Sequence, residues 1–202
     1  MTLVIQSAIA ICIAIYVSIY LMGIKRGTVK PILATWIIFS LATTFSFITD
    51  FSQSGSQGLL ANSFNIMDML ACIIIFVVAV AKKDIRRSFT LFEKGCLSAV
   101  IVIFIGWLLS GQNVVAHLCL QAIMVIAYLP TLVHLWNAQK NTESFSMWSF
   151  DCVASFLGII EPAMTHAVLP LVYSIRATLS AFAVMVLIVR LRWRKKQEGV
   201  TL

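Results

Sequence analysis

Seven apolar runs divide the 202-residue chain, at roughly 3–24, 32–51, 58–81, 95–110, 114–136, 146–161 and 168–191. A helix needs about 20 apolar residues to cross the hydrocarbon core of a bilayer. Seven such helices with short loops use nearly the whole chain, which leaves no room for a soluble domain. The fourth and sixth runs are short and predict tilted or partly interfacial helices. Only 11% of the residues are charged and the mean hydropathy is +0.97, against about 25% charged in soluble domains. A soluble fold of that composition would have too little polar surface to face water, so the bilayer is the expected solvent and partner.

The charges between the runs predict orientation. Lys25, Arg26 and Lys30 follow the first run. Lys82, Lys83, Arg86, Arg87 and Lys94 follow the third, and Lys140 follows the fifth. Arg190, Arg192, Arg194, Lys195 and Lys196 follow the seventh, while the loops after the second, fourth and sixth runs hold no Lys or Arg. Fourteen of the fifteen basic residues therefore fall on one side, which the positive-inside rule assigns to the cytoplasm. The expected topology is seven transmembrane helices with the N-terminus outside and the C-terminus in the cytoplasm. The net charge of +7 thus reads as a topology signal and not as a nucleic-acid surface. The first run has basic residues after it and none before it, the reverse of a signal peptide, so it is expected to be retained. Cys12, Cys72, Cys96, Cys119 and Cys152 lie in or at the edge of apolar runs without ligand spacing, as small buried side chains do.

An offset of 112 residues superposes the chain on itself without gaps. Tyr16 falls on Tyr128, Trp36 on Trp148, Ala42 on Ala154, Leu59 on Leu171, Ala71 on Ala183 and Lys83 on Lys195. The first three runs fall on the last three, and the fourth is left as a linker. The expected units are a three-helix repeat at 1–87, a linker helix at 88–112, and a second repeat with a basic tail at 113–202. Three spans invert the chain and a fourth restores its direction, so the repeats would be parallel, with a solute path between them near the midplane.

One stretch is more specific. It runs from Tyr128-Leu129-Pro130 through Asn137, Lys140, Thr142, Glu143 and Ser144 to Phe145-Ser146-Met147-Trp148, with an echo at Lys30-Pro31 and Thr35-Trp36. A proline, a basic polar loop and then Ser-x-Trp resemble the motif of the SWEET and PQ-loop superfamily of seven-helix transporters. The resemblance implies an all-α membrane fold of 3+1+3 helices. It also implies transport by alternating access, with Pro130, Trp36 and Trp148 as gating or hinge positions. Leu59-Leu60-Ala61-Asn62 is similar to the segment that carries a substrate-contacting Asn in such proteins, and Ser174 is the matching position in the second repeat. The chain departs from the family pattern at Thr131, which stands where the motif has glutamine, and at Ser18, which replaces the first repeat's proline.

Polar residues in membrane helices are costly and mark function by default. Arg176 is the one basic residue outside the cytoplasmic clusters, with Tyr173 and Ser180 on its helix face. Asn62, Asn65, Tyr173, Ser174 and Arg176 are the candidate substrate-binding residues. Asp68 and Asp151 are candidates for proton coupling or for an ion pair with Arg176. Trp148, Asp151, Ser155, Gly158 and Pro162 form one stripe, and Trp36, Ser40, Thr43, Phe47 and Asp50 another. Such stripes suit close helix packing or a wet cavity. Asp50 and Glu161 fall near outer ends. His117, His134 and His166 are expected at helix ends or in loops, without metal spacing.

The expected function is a uniporter or proton-coupled transporter for a small polar solute such as a sugar, amino acid or vitamin-like compound. A non-transporting receptor or sorting protein on the same fold is the alternative. A retinal photoreceptor is excluded because the seventh run holds no lysine before Lys195. No catalytic motif, cofactor site or metal site is expected, homo-oligomerisation is left open, and the short loops suggest a bacterial inner membrane.

Overall fold

Each apolar run folds as an α-helix in the computed structural model, which describes residues 2–29, 31, 33–58, 62–82, 89–138 and 143–198. The helices are α1 (Thr2–Arg26), α2 (Leu33–Ser54), α3 (Ser63–Ala81), α4 (Leu91–Ser110), α5 (Asn113–Asn137), α6 (Phe145–Thr165) and α7 (Val168–Glu198), with a short 3-10 turn at Gly55–Gly58. There is no strand among the described residues. Lys30, Leu59–Ala61, Lys83, Arg86, Arg87, Lys140 and Thr142 lie outside the described residues, as do the side chains of Pro130, His134, Lys195 and Lys196.

Five helices, α1, α3, α4, α5 and α7, are long and apolar enough to cross a membrane. The chain therefore has the architecture of a multi-pass membrane protein. Helices α2 and α6 reach 22 and 21 residues, about 33 and 32 Å at 1.5 Å per residue. Their Ser, Thr, Asp and Glu content lowers their hydropathy. The fourth and sixth apolar runs understate their helices, because polar residues extend both. Thr90 and Glu93 close a capping box that starts α4, and Gly111, at φ 64°, ends it in the left-handed conformation that glycine takes without strain. The Ser144 hydroxyl accepts from the Met147 backbone N–H to start α6, and His166 ends that helix at φ 55°.

Packing arranges six helices as a ring. Helix α1 packs on α3, α3 on α2, α2 on α5, α5 on α7, α7 on α6, and α6 back on α1. Lighter contacts of α3 with α6 and α7 cross the middle. Helix α4 stands outside, against α5 and α2. Its apolar side chains, among them Ile101, Val102, Ile105, Leu108 and Leu109, are exposed, as a lipid-facing surface requires. Inside the ring the buried residues include small ones, Ala42, Ala71, Ala154, Ala177 and Ala181. Lipid tails are as apolar as leucine, so helices in a bilayer associate through close packing and hydrogen bonds, which small residues permit. Gly158 of α6 shows how close. A Cβ there would lie 2.7 Å from the Phe64 Cβ on α3 and 3.1 Å from the Ser174 Oγ on α7.

Candidate functional site

Polar groups on these helices have nowhere to turn but inward. The α6 stripe of Trp148, Asp151, Ser155, Gly158 and Pro162 is buried throughout. On α2, Trp36, Ser40, Thr43 and Asp50 are buried and Phe47 is half-buried. Between the two stripes lies a cavity of about 20 Å³, lined by Tyr16, Trp36, Phe39, Thr43, Asp68, Cys72, Met124, Tyr128, Met147, Trp148, Asp151 and Arg176. Every helix of the ring contributes to it. Its volume is room for about one water, so this conformation is closed to a larger solute.

Asp68 anchors one wall. Its Oδ1 accepts from the Tyr16 hydroxyl at 3.0 Å and its Oδ2 from the Tyr173 hydroxyl at 2.6 Å. One carboxylate thereby ties α1, α3 and α7 together. Arg176 forms the opposite charge. Its Nε donates to Gln121 Oε1 at 3.1 Å, and its guanidinium lies 4.7 Å from the centre of the Tyr173 ring. No ion pair within 4.0 Å joins it to Asp68 or Asp151, and its Nη2 is buried without a hydrogen-bond partner. An arginine fork with an unused donor in an enclosed space is suited to a carboxylate or another planar anion.

A line of aromatic rings bounds the cavity on the side of the basic clusters. Tyr20 meets Trp36 at 5.1 Å between ring centres, Trp36 meets Phe39 at 5.9 Å, Phe39 meets Tyr128 at 4.9 Å, and Tyr128 meets Trp148 at 5.8 Å. These spacings lie in the range of favourable aromatic pairs. Beyond the rings is a second space of about 30 Å³, lined by the same Trp36, Phe39, Tyr128 and Trp148 together with Tyr20, Thr35, Thr131 and Glu143. Glu143 Oε2 accepts from the Trp148 indole N–H at 3.2 Å. Burial pushes the Glu143 carboxyl up to about 7, partly offset by that hydrogen bond.

Of the candidate residues, Trp36, Asp68, Trp148, Asp151 and Arg176 line the central cavity. Tyr173 is fully buried and acts on it through Asp68 and Arg176. Ser174 is turned away, donating to the Gly158 carbonyl at 3.0 Å. Asn62 and Asn65, at the start of α3, are buried with no partner for any side-chain amide atom, and they do not line the cavity. Helix α5 runs through position 130. Among the described residues no cluster of three His, Cys, Asp or Glu could hold a metal ion.

Gln121 and Phe39 are functional residues that the sequence pattern did not single out, and His117 was expected at a helix end. His117 lies one turn into α5 and is fully buried, and with Gln121 it forms a polar network against Ser46 and Thr49 of α2. A four-residue spacing of His and Gln inside an apolar run was the available signal. A larger crevice of about 450 Å³ opens between α5 and α7. It is lined by apolar residues such as Val125, Leu129, Ile175 and Leu179, with Arg176 and Ser180 the polar contributors. Those four apolar side chains are exposed, as on a bilayer-facing surface.

No family model, curated protein or solved structure matches the chain.

Proposed function

We propose that the protein is a membrane transporter for a small polar solute, with α1–α3 and α5–α7 as parallel repeats that move against each other. The carrying observation is the small cavity at the centre of the ring, which Asp68, Asp151 and Arg176, whose Nη2 is unpartnered, line together with Trp36 and Trp148. A solute with a carboxylate or several hydroxyls would find there a charged fork, acceptors and aromatic faces.

The packing supports the repeats. Exchanging α1 with α5, α2 with α6 and α3 with α7 turns each ring contact into another ring contact: α1–α3 into α5–α7, α2–α3 into α6–α7, and α1–α6 into α2–α5. In both triplets the third helix lies between the first and second. The two tryptophans that the 112-residue offset pairs, Trp36 and Trp148, line the same cavity. On this reading α2 and α6 complete seven spans, with polar faces hidden from lipid, and the basic ends lie in the cytoplasm of a bacterial inner membrane. The layout is that of the SWEET and PQ-loop superfamily. The aromatic line is then the cytoplasmic closure, and it opens when the triplets part.

The same closure favours one second reading, a receptor in which it never opens. A screen of polar solutes by thermal stabilisation of the purified protein, followed by uptake in proteoliposomes, tests both. A ligand that binds the folded state raises the melting temperature by mass action. Stabilisation with uptake supports transport, and stabilisation without uptake supports the receptor. If no solute stabilises the wild type more than an Arg176→Ala variant, the cavity is not the binding site.

A further inference from the structure

The hydrogen bonds of Gln121 have a direction that Arg176 imposes. A guanidinium can only donate, so the Gln121 atom 3.1 Å from Arg176 Nε is the carbonyl oxygen. The amide nitrogen must then point the other way. It donates to Ser46 Oγ at 2.9 Å and lies 3.2 Å from His117 Nε2. An amide nitrogen has no lone pair to offer, so His117 Nε2 accepts and carries no proton. The imidazole proton therefore sits on Nδ1, which lies 3.2 Å from Ser46 Oγ and 3.4 Å from Thr49 Oγ1. A cation at the cavity thus sets the tautomer of a histidine one helical turn further along α5.

The coupling runs both ways. A proton added to His117 Nε2 would face the Gln121 amide donor. Turning the amide end for end would meet that proton with oxygen, but would then set two donors against each other at Arg176. The Arg176–Gln121 bond and a protonated His117 are therefore mutually exclusive in this arrangement. The ionisable groups at this end of the helices packed against α5 are Asp50 on α2, and Tyr173 and Arg176 on α7; Glu93 and Lys94 of α4 and Arg190, Arg192 and Arg194 of α7 lie at the opposite end. Helix α4 has none beyond Cys96.

We propose that His117 is a proton-binding site whose occupancy decides whether Gln121 holds Arg176 or releases it to the cavity. The proton has a short way in. Asn113, one turn before His117, donates to Gln53 Oε1 at 3.3 Å in an exposed contact, at the end of the ring opposite the basic clusters. On binding, the proton bonds to Nε2, the Gln121 amide turns end for end so that its oxygen accepts from the new N–H, and Arg176 Nε, now facing the amide nitrogen, loses its acceptor. The link to transport rests on the function proposed above; the proton site itself does not.

The test needs neither solute nor uptake. Protein labelled with ¹⁵N at histidine and arginine, purified in detergent, is followed by NMR as pH is lowered, with His117→Gln used to assign the ring. At neutral pH His117 should show the Nδ1–H tautomer, and the Arg176 Nε–H signal should shift along the same titration as the His117 ring. In Gln121→Leu the two should separate: the ring still titrates and Arg176 no longer follows it. In Gln121→Glu a carboxylate accepts from both sides, so the neutral tautomer should reverse to Nε2–H. An Nε2–H tautomer in the wild type, a ring that never titrates while the protein stays folded, or an Arg176 signal blind to it would each overturn the proposal. In proteoliposomes, loss of a pH-gradient response in His117→Gln with uptake retained supports the link to transport, and an unchanged response severs it.

Discussion

The Tyr173 hydroxyl donates to Asp68 Oδ2 across 2.6 Å, joining α7 to α3 at residues 105 apart in the chain. Tyr16 of α1 fills the other carboxylate oxygen at 3.0 Å. A hydrogen bond to a charged group contributes about 1.5–3 kcal/mol, and a buried donor left without a partner costs about 1–3 kcal/mol. Tyr173→Phe removes the donor, leaves Asp68 Oδ2 without that partner and should cost about 1–3 kcal/mol. Asp68→Ala strands two phenols and takes away a countercharge of Arg176, so it should cost more, about 3–5 kcal/mol. Unfolding in mixed detergent measures both. An equal loss in the two variants would mean that Asp68 supports no more than the one bond.

Gly158 of α6 is held against Phe64 of α3 without room for another atom. A Cβ would meet the Phe64 Cβ at 2.7 Å and its Cγ at 2.8 Å, and neither can swing away as the end of a flexible chain could. Gly158→Ala should therefore push α3 from α6 and destabilise the fold by about 1–3 kcal/mol, as overpacking does. Gly106 of α4 is the control, because nothing lies within 4 Å of its Cβ position. There alanine should be neutral or raise stability by up to about 1 kcal/mol through helix propensity. Melting temperatures of the pair should move in opposite directions.

Glu143 gives a pH dependence with a defined sign. Its carboxyl rises from an ordinary 4.5 to about 7 in the folded chain. Between those values the folded state holds a proton that the unfolded state has lost, so stability falls as pH rises through this window. Above pH 7 the full cost of the buried charge is present. Glu143→Gln removes the charge and keeps an oxygen for the Trp148 indole. It should be more stable than wild type at pH 8 by on the order of 1–2 kcal/mol, and no different at pH 4. A melting-temperature series across pH checks this, and a wild-type curve that rises from pH 5 to 7 would reverse the assignment.

The helices and the inward stripes could be read from sequence because a bilayer leaves helices few options. Asp151 and Ser155 cannot face lipid, so the face that bears them shows which way α6 turns. Apolar length also marks α1, α3, α4, α5 and α7 directly. Helices α2 and α6 blur that signal through the Ser, Thr, Asp and Glu residues they bury. Depth and partnership were not legible. Asn62 and Asn65, candidate substrate-binding residues, are buried at the beginning of α3 and do not line the cavity. Gln121 and Arg176 are 55 positions apart and meet because α5 packs on α7. Hydropathy carries no information on the order of helices around a ring. Phe39 looks like any other aromatic in an apolar run until that order sets it ring to ring with Tyr128 at 4.9 Å.

Arg176 tests whether the cavity needs a fork or merely a charge. Its Nε is used on Gln121, its guanidinium carbon lies over the Tyr173 ring at 4.7 Å from the centre, and Nη2 is left over. A lysine ammonium is a single charged point on a flexible stem. It cannot serve Gln121, stand over the ring and keep a separate donor for a solute at once. Arg176→Lys should preserve the fold, because a cation still stands near Asp68 and Asp151. Binding of a carboxylate-bearing solute should weaken by about tenfold or more, which is about 1.4 kcal/mol. Arg176→Gln should abolish that binding, and should also leave Asp68 and Asp151 without a cation, with a measurable fall in melting temperature. Calorimetric titration of a stabilising solute into the three proteins separates these outcomes. Equal affinity for wild type and Arg176→Lys would show that charge alone is recognised, and equal affinity for Arg176→Gln would remove Arg176 from the binding site.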